Sequence, residues 1–229
     1  MLIRSLTAAL VLACASPVLA QVGYPPAESP FKDLEYRQEF SLSSGYYVAA
    51  KDPAGVAPQS GPMIAARYDL RLANPLLLTV HAARVFTDRT VVSFPTESPR
   101  VVSNEPVPLW LFDTGFTFSL TGAKSYRGIV PVVIGTAGIA LGGGSSADAG
   151  GFKFGTPLAL SFGGGVRWVT GGKVQVRADV VSHLYQVHYP DSYFAPPDEG
   201  EPLRPVGASQ SSWTRNVAFT IGASYVLLR

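Results

Sequence analysis

The stretch GPMIAARYDLRLANPLLLTVHAARVF, residues Gly61–Phe86, alternates apolar and polar side chains and breaks in the middle at an Asn-Pro pair. Arg67, Asp69 and Arg71 take every second position between apolar neighbours. A period of two puts alternate side chains on opposite faces in a β-strand, whereas a helix has a period of about 3.6 residues. Asn-Pro is typical of turns. The stretch therefore predicts two antiparallel strands joined by a tight turn.

The same alternation continues along most of the chain. It predicts eight strands, at about residues 36–50, 62–73, 76–89, 108–121, 126–142, 153–169, 173–189 and 213–228. The fifth is apolar on both faces and contains Pro131, so the pattern leaves its facing open. In the sixth, the pattern places Phe154 on the same apolar face as Leu158 and Trp168.

The connections between these strands alternate in length. The long ones are residues 51–61, 90–107, 143–151 and 190–212, and the short ones are 74–75, 122–125 and 171–172. Short turns at one end and long loops at the other are typical of outer-membrane β-barrels. A soluble β-sandwich gives no reason for its loops to be sorted in this way, although overall composition also fits one soluble β domain.

Composition narrows the range of binding partners expected for the chain. The 229 residues carry a formal net charge of +2, which is too small to indicate a nucleic-acid partner. Beyond the N-terminal segment, no stretch reaches the roughly 18 consecutive apolar residues that predict a membrane helix. If such a chain is exported, it is therefore either soluble or inserted as a barrel.

The N-terminus predicts export. Residues 1–20 combine Arg4, an apolar core and the small residues VLA before Gln21, which is the pattern of a cleaved signal peptide. Two alternatives stay open, a buried N-terminal helix and a lipoprotein modified at Cys14. Cleavage after residue 20 would remove the single cysteine, leaving no disulfide or thiol chemistry. Residues 21–35 are then a flexible lead-in, and 36–229 form the barrel.

The polar faces of the strands are rich in Gly, Ala, Ser and Thr and poor in Lys and Glu. Such small side chains suit the interior of an eight-stranded barrel, which is just wide enough for side chains to fill. By parity, eight charged side chains point inward: Glu39, Arg67, Asp69, Arg71, Asp113, Arg167, Arg177 and Asp179. Because a buried unpaired charge is costly, four basic and four acidic groups predict a paired network. That network acts either as a polar plug or as an ion gate.

Four aromatic side chains fall on the apolar faces near strand ends: Trp110, Trp168, Trp213 and Tyr225. Aromatic residues at both ends of the apolar band form the interfacial belt of membrane barrels. Ordinary core aromatics would lie nearer the strand centres. The positions therefore favour a belt.

Two stretches carry a resemblance to a known family. LSFGGGVRWVTGGKVQVRADVV, residues 160–181, resembles the GxGVRY, turn, LRLExR hairpin of the small eight-stranded outer-membrane barrels, the OmpA/OmpX/OmpW-like family. VPVVIGTAGIALG, residues 130–142, is similar to that family's PYVGAGxGxA strand, with Val132 in place of an aromatic. The chain ends in Arg229 rather than in the family's usual aromatic. The resemblance implies an all-β fold, a single antiparallel eight-stranded up-and-down transmembrane β-barrel.

The sequence predicts no catalytic, cofactor-binding or metal-binding residue. The glycine clusters lack the spacing of a phosphate-binding loop, and His81, His183 and His188 are too scattered for a metal site. Ser182 and His183 are adjacent in a strand, so they point to opposite faces and cannot form a nucleophile–base pair.

The expected function is therefore a non-enzymatic outer-membrane barrel with a filled lumen and a structural or surface-contact role. A narrow channel for small or hydrophobic solutes is the first alternative, and a lipid-modifying enzyme is the second. The expected partners are outer-membrane lipids, the outer-membrane assembly machinery and an external ligand of the long loops, with no nucleic acid.

Overall fold

The computed structural model describes residues 29–93, 101–143, 150–195 and 202–228. These ranges contain twelve strands and one 3-10 turn: β1 (Phe31–Asp33), β2 (Gln38–Val48), β3 (Gly61–Ala73), β4 (Leu76–Val85), β5 (Asp88–Ser93), β6 (Val101–Pro106), β7 (Leu109–Ser119), β8 (Lys124–Tyr126), β9 (Ile129–Gly142), β10 (Leu158–Val169), β11 (Val174–His188), the 3-10 turn (Asp191–Tyr193) and β12 (Ser211–Leu228). The predicted signal peptide, the lead-in up to residue 28 and Arg229 lie outside the described residues. In the ranges given, no helix has the length and apolarity needed to cross a membrane.

A closed antiparallel sheet dominates the fold. Its strands follow the order β2, β3, β4, β7, β9, β10, β11 and β12, and β12 pairs back with β2. At this closure Val217 lies opposite Val48, and Tyr225 lies opposite Phe40. We call these eight the barrel strands. Their pairing confirms the predicted eight-stranded barrel.

Apolar side chains cover the outside of the barrel. Leu42, Phe116 and Ile221 point outward and are 60%, 50% and 62% exposed. Charged side chains such as Arg67 and Asp69 point inward and are buried. A soluble sheet buries its apolar face, so this inverted arrangement, together with the closed pairing, defines a transmembrane β-barrel.

The two ends of the barrel differ. At one end, which we call the turn end, short connections such as Asn74–Pro75 and Gly171–Gly172 join the strands. At the other, the loop end, the long connections cover the mouth of the barrel. The structure also resolves the facing of β9, where Val132 and Ile134 point inward and Val133 outward.

Three predicted elements at the loop end are wrong in extent. The third strand ends at Val85 rather than at residue 89, and part of the predicted loop 90–107 belongs to a hairpin formed by β5 and β6. The sixth strand begins at Leu158 rather than at residue 153. Gly155 has a φ of +69°, which interrupts the extended backbone and turns Phe154 into the barrel mouth, where it is 7% exposed.

The turn end also differs from the prediction. Within the lead-in predicted for residues 21–35, β1 pairs with β8, and Phe31 lies opposite Tyr126. Arg127 and Gly128 turn the chain with φ values of +50° and +80°, so the fifth barrel strand begins at Ile129 rather than at residue 126. Leu34 is buried against the barrel interior, which explains why this segment is fixed in place.

Candidate functional site

Side chains fill the barrel interior along its length. An apolar cluster lies toward the turn end and consists of Leu34, Tyr36, Leu77, Val130, Val132, Ile134 and Val226. A larger apolar and aromatic cluster lies toward the loop end and includes Tyr47, Met63, Val85, Leu109, Leu111, Phe152, Phe154, Tyr185, Tyr189 and Tyr193. Polar and charged side chains occupy the space between and around these clusters.

Four of the predicted inward charges meet in the middle of the barrel. We call this group the central cluster, formed by Arg67 and Asp69 of β3 with Arg177 and Asp179 of β11. Asp69 Oδ2 lies 3.0 Å from Arg67 Nε and 3.0 Å from Arg177 Nη1. Arg177 Nε lies 2.5 Å from Asp179 Oδ2, and Thr79 Oγ1 donates to Asp69. The cluster thus holds two guanidinium groups against two carboxylates.

Two further predicted charges pair near the turn end. Arg167 forms an ion pair with Glu39, and Arg167 Nη2 also donates to Gln175 Oε1 at 2.8 Å. Tyr36 accepts a hydrogen bond from Arg167 Nη1. The Tyr36 ring lies between two guanidinium groups, with centroid distances of 4.0 Å to Arg71 Cζ and 4.3 Å to Arg167 Cζ. Arg71 Nη1 also donates to the Leu34 carbonyl oxygen at 2.9 Å, so among the described residues Arg71 contacts the segment that closes the turn end rather than a carboxylate.

The last predicted charge, Asp113, has a histidine partner. Asp113 Oδ2 lies 2.9 Å from His81 Nδ1. Beside this pair, His183 Nδ1 lies 2.8 Å from Ser161 Oγ, and the two imidazole rings stack with centroids 6.4 Å apart. These pairs do not follow from the alternation of the strands, because each one depends on cross-strand register. The signal was available in the Gly171–Gly172 turn, which sets the register that places Ser161 opposite His183.

The same register places Ser182 on the outer wall, opposite Phe162, and His183 inside. The Ser161–His183 pair has the atoms of a nucleophile and a base, yet both side chains are buried. The cavity beside them is bordered by His81, Asp113 and the central cluster and has a volume of about 30 Å³. That volume suits a water molecule rather than a substrate. Across the described ranges, no group of three or more His, Cys, Asp or Glu side chains is arranged to hold a metal ion.

Aromatic side chains close the loop end. The hydroxyls of Tyr47 and Tyr185 lie 3.1 Å apart, and Phe154 packs edge-on against Tyr185 with ring centroids 5.4 Å apart. In the first long loop, the buried Asp52 carboxylate accepts hydrogen bonds from Tyr189 Oη at 3.0 Å and from the backbone N–H of Ala57 at 2.8 Å. Burial, together with the nearby Asp52 carboxylate, raises the pKa of Tyr189, because both disfavour the phenolate.

The four predicted belt residues lie on the outer wall near strand ends. Trp110 and Trp213 are at the loop ends of β7 and β12, and Trp168 and Tyr225 are at the turn ends of β10 and β12. All four side chains are exposed. This placement is the geometry that an interfacial belt requires.

Comparison with solved structures gives matches of similar fold at low identity. Neisserial surface protein A is 12% identical with a TM-score of 0.49, over 87% of this chain and 98% of that one. The outer membrane protein OprG from Pseudomonas aeruginosa is 11% identical with a TM-score of 0.47, over 85% and 98%. Ail, the attachment invasion locus protein of Yersinia pestis, is 12% identical with a TM-score of 0.35, over 84% and 99%. No protein-family model and no curated protein sequence match the chain.

Proposed function

We propose that this chain is a non-enzymatic outer-membrane β-barrel with a closed interior, which stabilises the envelope or presents a contact surface outside the cell. The observation that carries this proposal is the filled interior. Apolar side chains pack at both ends of the barrel, and the cavity beside the central cluster measures about 30 Å³. A filled barrel serves through its wall and its loops rather than through a pore.

The outer-membrane location rests on the wall and on the predicted signal peptide. The barrel strands contain between 10 and 18 residues, and about 9–11 tilted residues are enough to cross the hydrocarbon layer. Every backbone group in that layer needs an internal partner, which the closed sheet supplies. Apolar outward faces complete the match to a lipid environment.

The loop end is the surface available for contacts. The β5–β6 hairpin extends beyond the barrel strands, and its Thr90 Oγ1 lies 3.0 Å from Asn104 Oδ1 across the two strands. Gln59 of the first long loop donates to Thr90 at 3.1 Å, which ties that loop to the hairpin. A hairpin that is hydrogen-bonded to the neighbouring loop can present a defined surface to an external ligand.

A non-enzymatic role fits the placement of the one nucleophile–base pair described above. Ser161 and His183 face the interior below the aromatic closure formed by Tyr47 and Tyr185, so lipid substrates outside the wall cannot reach them. Release of fatty acid from phospholipid vesicles by wild-type protein, and its loss in Ser161→Ala, would contradict this part of the proposal.

The decisive experiment is conductance in planar lipid bilayers. The first step verifies the barrel, by fractionation to the outer membrane and by a shift in gel mobility between boiled and unboiled protein. Wild-type protein should then show no sustained conductance steps, while a general porin reconstituted in the same bilayers does. A second test removes the aromatic closure with Tyr47→Ala and Phe154→Ala together, which should raise the frequency of brief openings. Sustained steps in the wild type would favour a narrow channel instead.

A further inference from the structure

The outer wall of the barrel carries few charges. Along the outward faces of the eight barrel strands, all of which lie in the described part of the chain, the Asp, Glu, Lys and Arg side chains number two, Arg84 and Arg215. Both are basic. The interior, in contrast, holds acidic and basic groups side by side.

Both arginines lie at the loop end. Arg84 is the penultimate residue of β4, and it lies opposite Trp110, near the start of β7. Arg215 lies five residues into β12, opposite Leu184 near the end of β11. A charged side chain on a lipid-facing wall destabilises the barrel strongly at the bilayer midplane and only slightly near the interface. The positions therefore place both guanidinium groups at the interface on the loop side.

Arg84 is held in a defined position by aromatic rings. Its Cζ lies 4.8 Å from the Phe86 ring centroid and 5.2 Å from the Trp110 ring centroid. Trp110 in turn stacks on Phe112, with centroids 6.0 Å apart. Arg215 has one such contact, at 5.9 Å from the Phe162 centroid. The two rings therefore hold the Arg84 guanidinium against the wall, and Arg215 has the looser contact.

Arg84 has no carboxylate partner in the described part of the chain. None of the ion pairs there includes Arg84. Its Nε is buried against the wall, so the two Nη groups are the donors that a ligand could reach. A guanidinium group offers a planar fork of donors that fits a phosphate group with two parallel hydrogen bonds. An anion from the surrounding membrane would satisfy these donors.

We propose that Arg84, with Arg215 as a second and weaker contact, binds the phosphate monoester groups of a glycolipid in the outer leaflet. The inference rests on the proposed function, since it requires the loop end to face outward. A membrane lipid is favoured over a free phosphate ion because the donors lie on the wall, directly beside the lipid-facing rings of Phe112 and Trp110. The phosphate would lie at headgroup level, and the acyl chains would lie along the apolar wall.

The test measures binding of lipid A to the folded protein in detergent by native mass spectrometry. The probe is bisphosphorylated lipid A, and the comparison lipid is the same molecule after removal of both phosphates. Arg84→Gln should weaken lipid A binding about tenfold, in line with the loss of a charge-assisted hydrogen bond. Arg84→Lys should have an intermediate effect, because it keeps the charge and loses the fork. Arg215→Gln should weaken binding less than Arg84→Gln does.

The matched control is Lys51→Gln, which removes an exposed cation at the loop end that is not on the wall. Lipid A binding should stay within twofold of wild type in this variant. Equal binding by wild type and Arg84→Gln, or equal binding of lipid A with and without its phosphates, would overturn the inference. Each variant is first checked for the boiled and unboiled mobility shift and for insertion into phosphatidylcholine vesicles. Wild-type protein that fails to insert would contradict the proposed function. Wild-type protein that inserts but does not bind lipid A in a phosphate-dependent way would contradict this inference alone.

Discussion

Arg177 Nη1 on β11 lies 3.0 Å from Asp69 Oδ2 on β3, so this ion pair joins two strands that β12 and β2 separate along the barrel wall. The side chains are 3% and 1% exposed. Asp69 also contacts Arg67 at 3.0 Å, so one carboxylate faces two guanidinium groups. The central cluster therefore connects strands that are not neighbours in the wall through the barrel interior.

Replacement of Asp69 should strongly destabilise the barrel. Asp69→Asn leaves Arg67 and Arg177 with Asp179 as their remaining carboxylate in the central cluster. Removing one partner from a buried ion pair costs about 3–5 kcal/mol, because it leaves a charge uncompensated. The free energy of unfolding, measured by urea titration in phospholipid vesicles, should fall by about that amount.

Asp33→Asn is the matched control for Asp69→Asn. Asp33 Oδ1 lies 3.8 Å from Lys124 Nζ, and both side chains are exposed, at 76% and 55%. Exposed ion pairs contribute about 0–1 kcal/mol, so this variant should unfold close to the wild-type urea concentration. Equal effects of the two replacements would mean that the central cluster does not stabilise the fold.

Much of the wall could be predicted from the sequence, because facing in a strand depends only on parity. Arg67 and Asp69 point inward and Leu42 outward because each strand keeps its period of two between turns. The fifth strand was ambiguous for a physical reason. Its inward-facing residues Val132 and Ile134 meet other apolar side chains at the turn end. Both faces of the strand are therefore apolar, and the alternation cannot tell the inward face from the outward one.

The contacts inside the barrel could not be predicted in the same way. Tyr36 lies between two arginines from different strands, and His81 pairs with Asp113 across β4 and β7. Such contacts depend on register and on where a loop folds back, neither of which alternation records. Phe154 shows the limit most clearly, since a single left-handed residue at Gly155 reverses its facing.

Gly165 is predicted to be required at the central cluster. A Cβ at this position would lie 1.9 Å from Asp179 Oδ1 and 2.5 Å from the Ala178 carbonyl oxygen. Gly165→Ala should therefore displace Asp179 and lower the free energy of unfolding by about 1–3 kcal/mol, the usual cost of overpacking. Gly135→Ala is the control, because its Cβ would meet nothing within 4 Å. Its effect should stay within about 0.5 kcal/mol, and a comparable loss in both variants would contradict the packing argument.

The three tryptophans are predicted to lie at the two membrane interfaces. Variants that keep one tryptophan each, with phenylalanine at the other two positions, allow the depth of Trp110, Trp168 and Trp213 to be measured separately. Lipids brominated near the headgroup should quench all three more strongly than lipids brominated deep in the acyl chain. Phe219→Trp in a background without other tryptophans is the control, since Phe219 lies midway along β12 and faces outward. Lipids brominated deep in the acyl chain should quench that tryptophan most strongly. Identical quenching profiles across the two lipids for all four positions would rule out a belt.

Tyr189 provides a pH-dependent contact at the loop end, beyond the last residue of β11. Its hydroxyl donates to Asp52, and burial with the nearby carboxylate raises its pKa. Because the folded pKa lies above the unfolded value of about 10, this contact contributes its full stability below pH 10 and loses it as the pH rises through the folded pKa. Asp52→Asn removes the carboxylate and should lower the ionisation midpoint of Tyr189, followed by NMR of ¹³C-labelled tyrosine with Tyr189→Phe to assign the signal. An unchanged midpoint in Asp52→Asn would show that burial alone sets the shift and that the ionised Asp52 does not hold the first long loop through Tyr189.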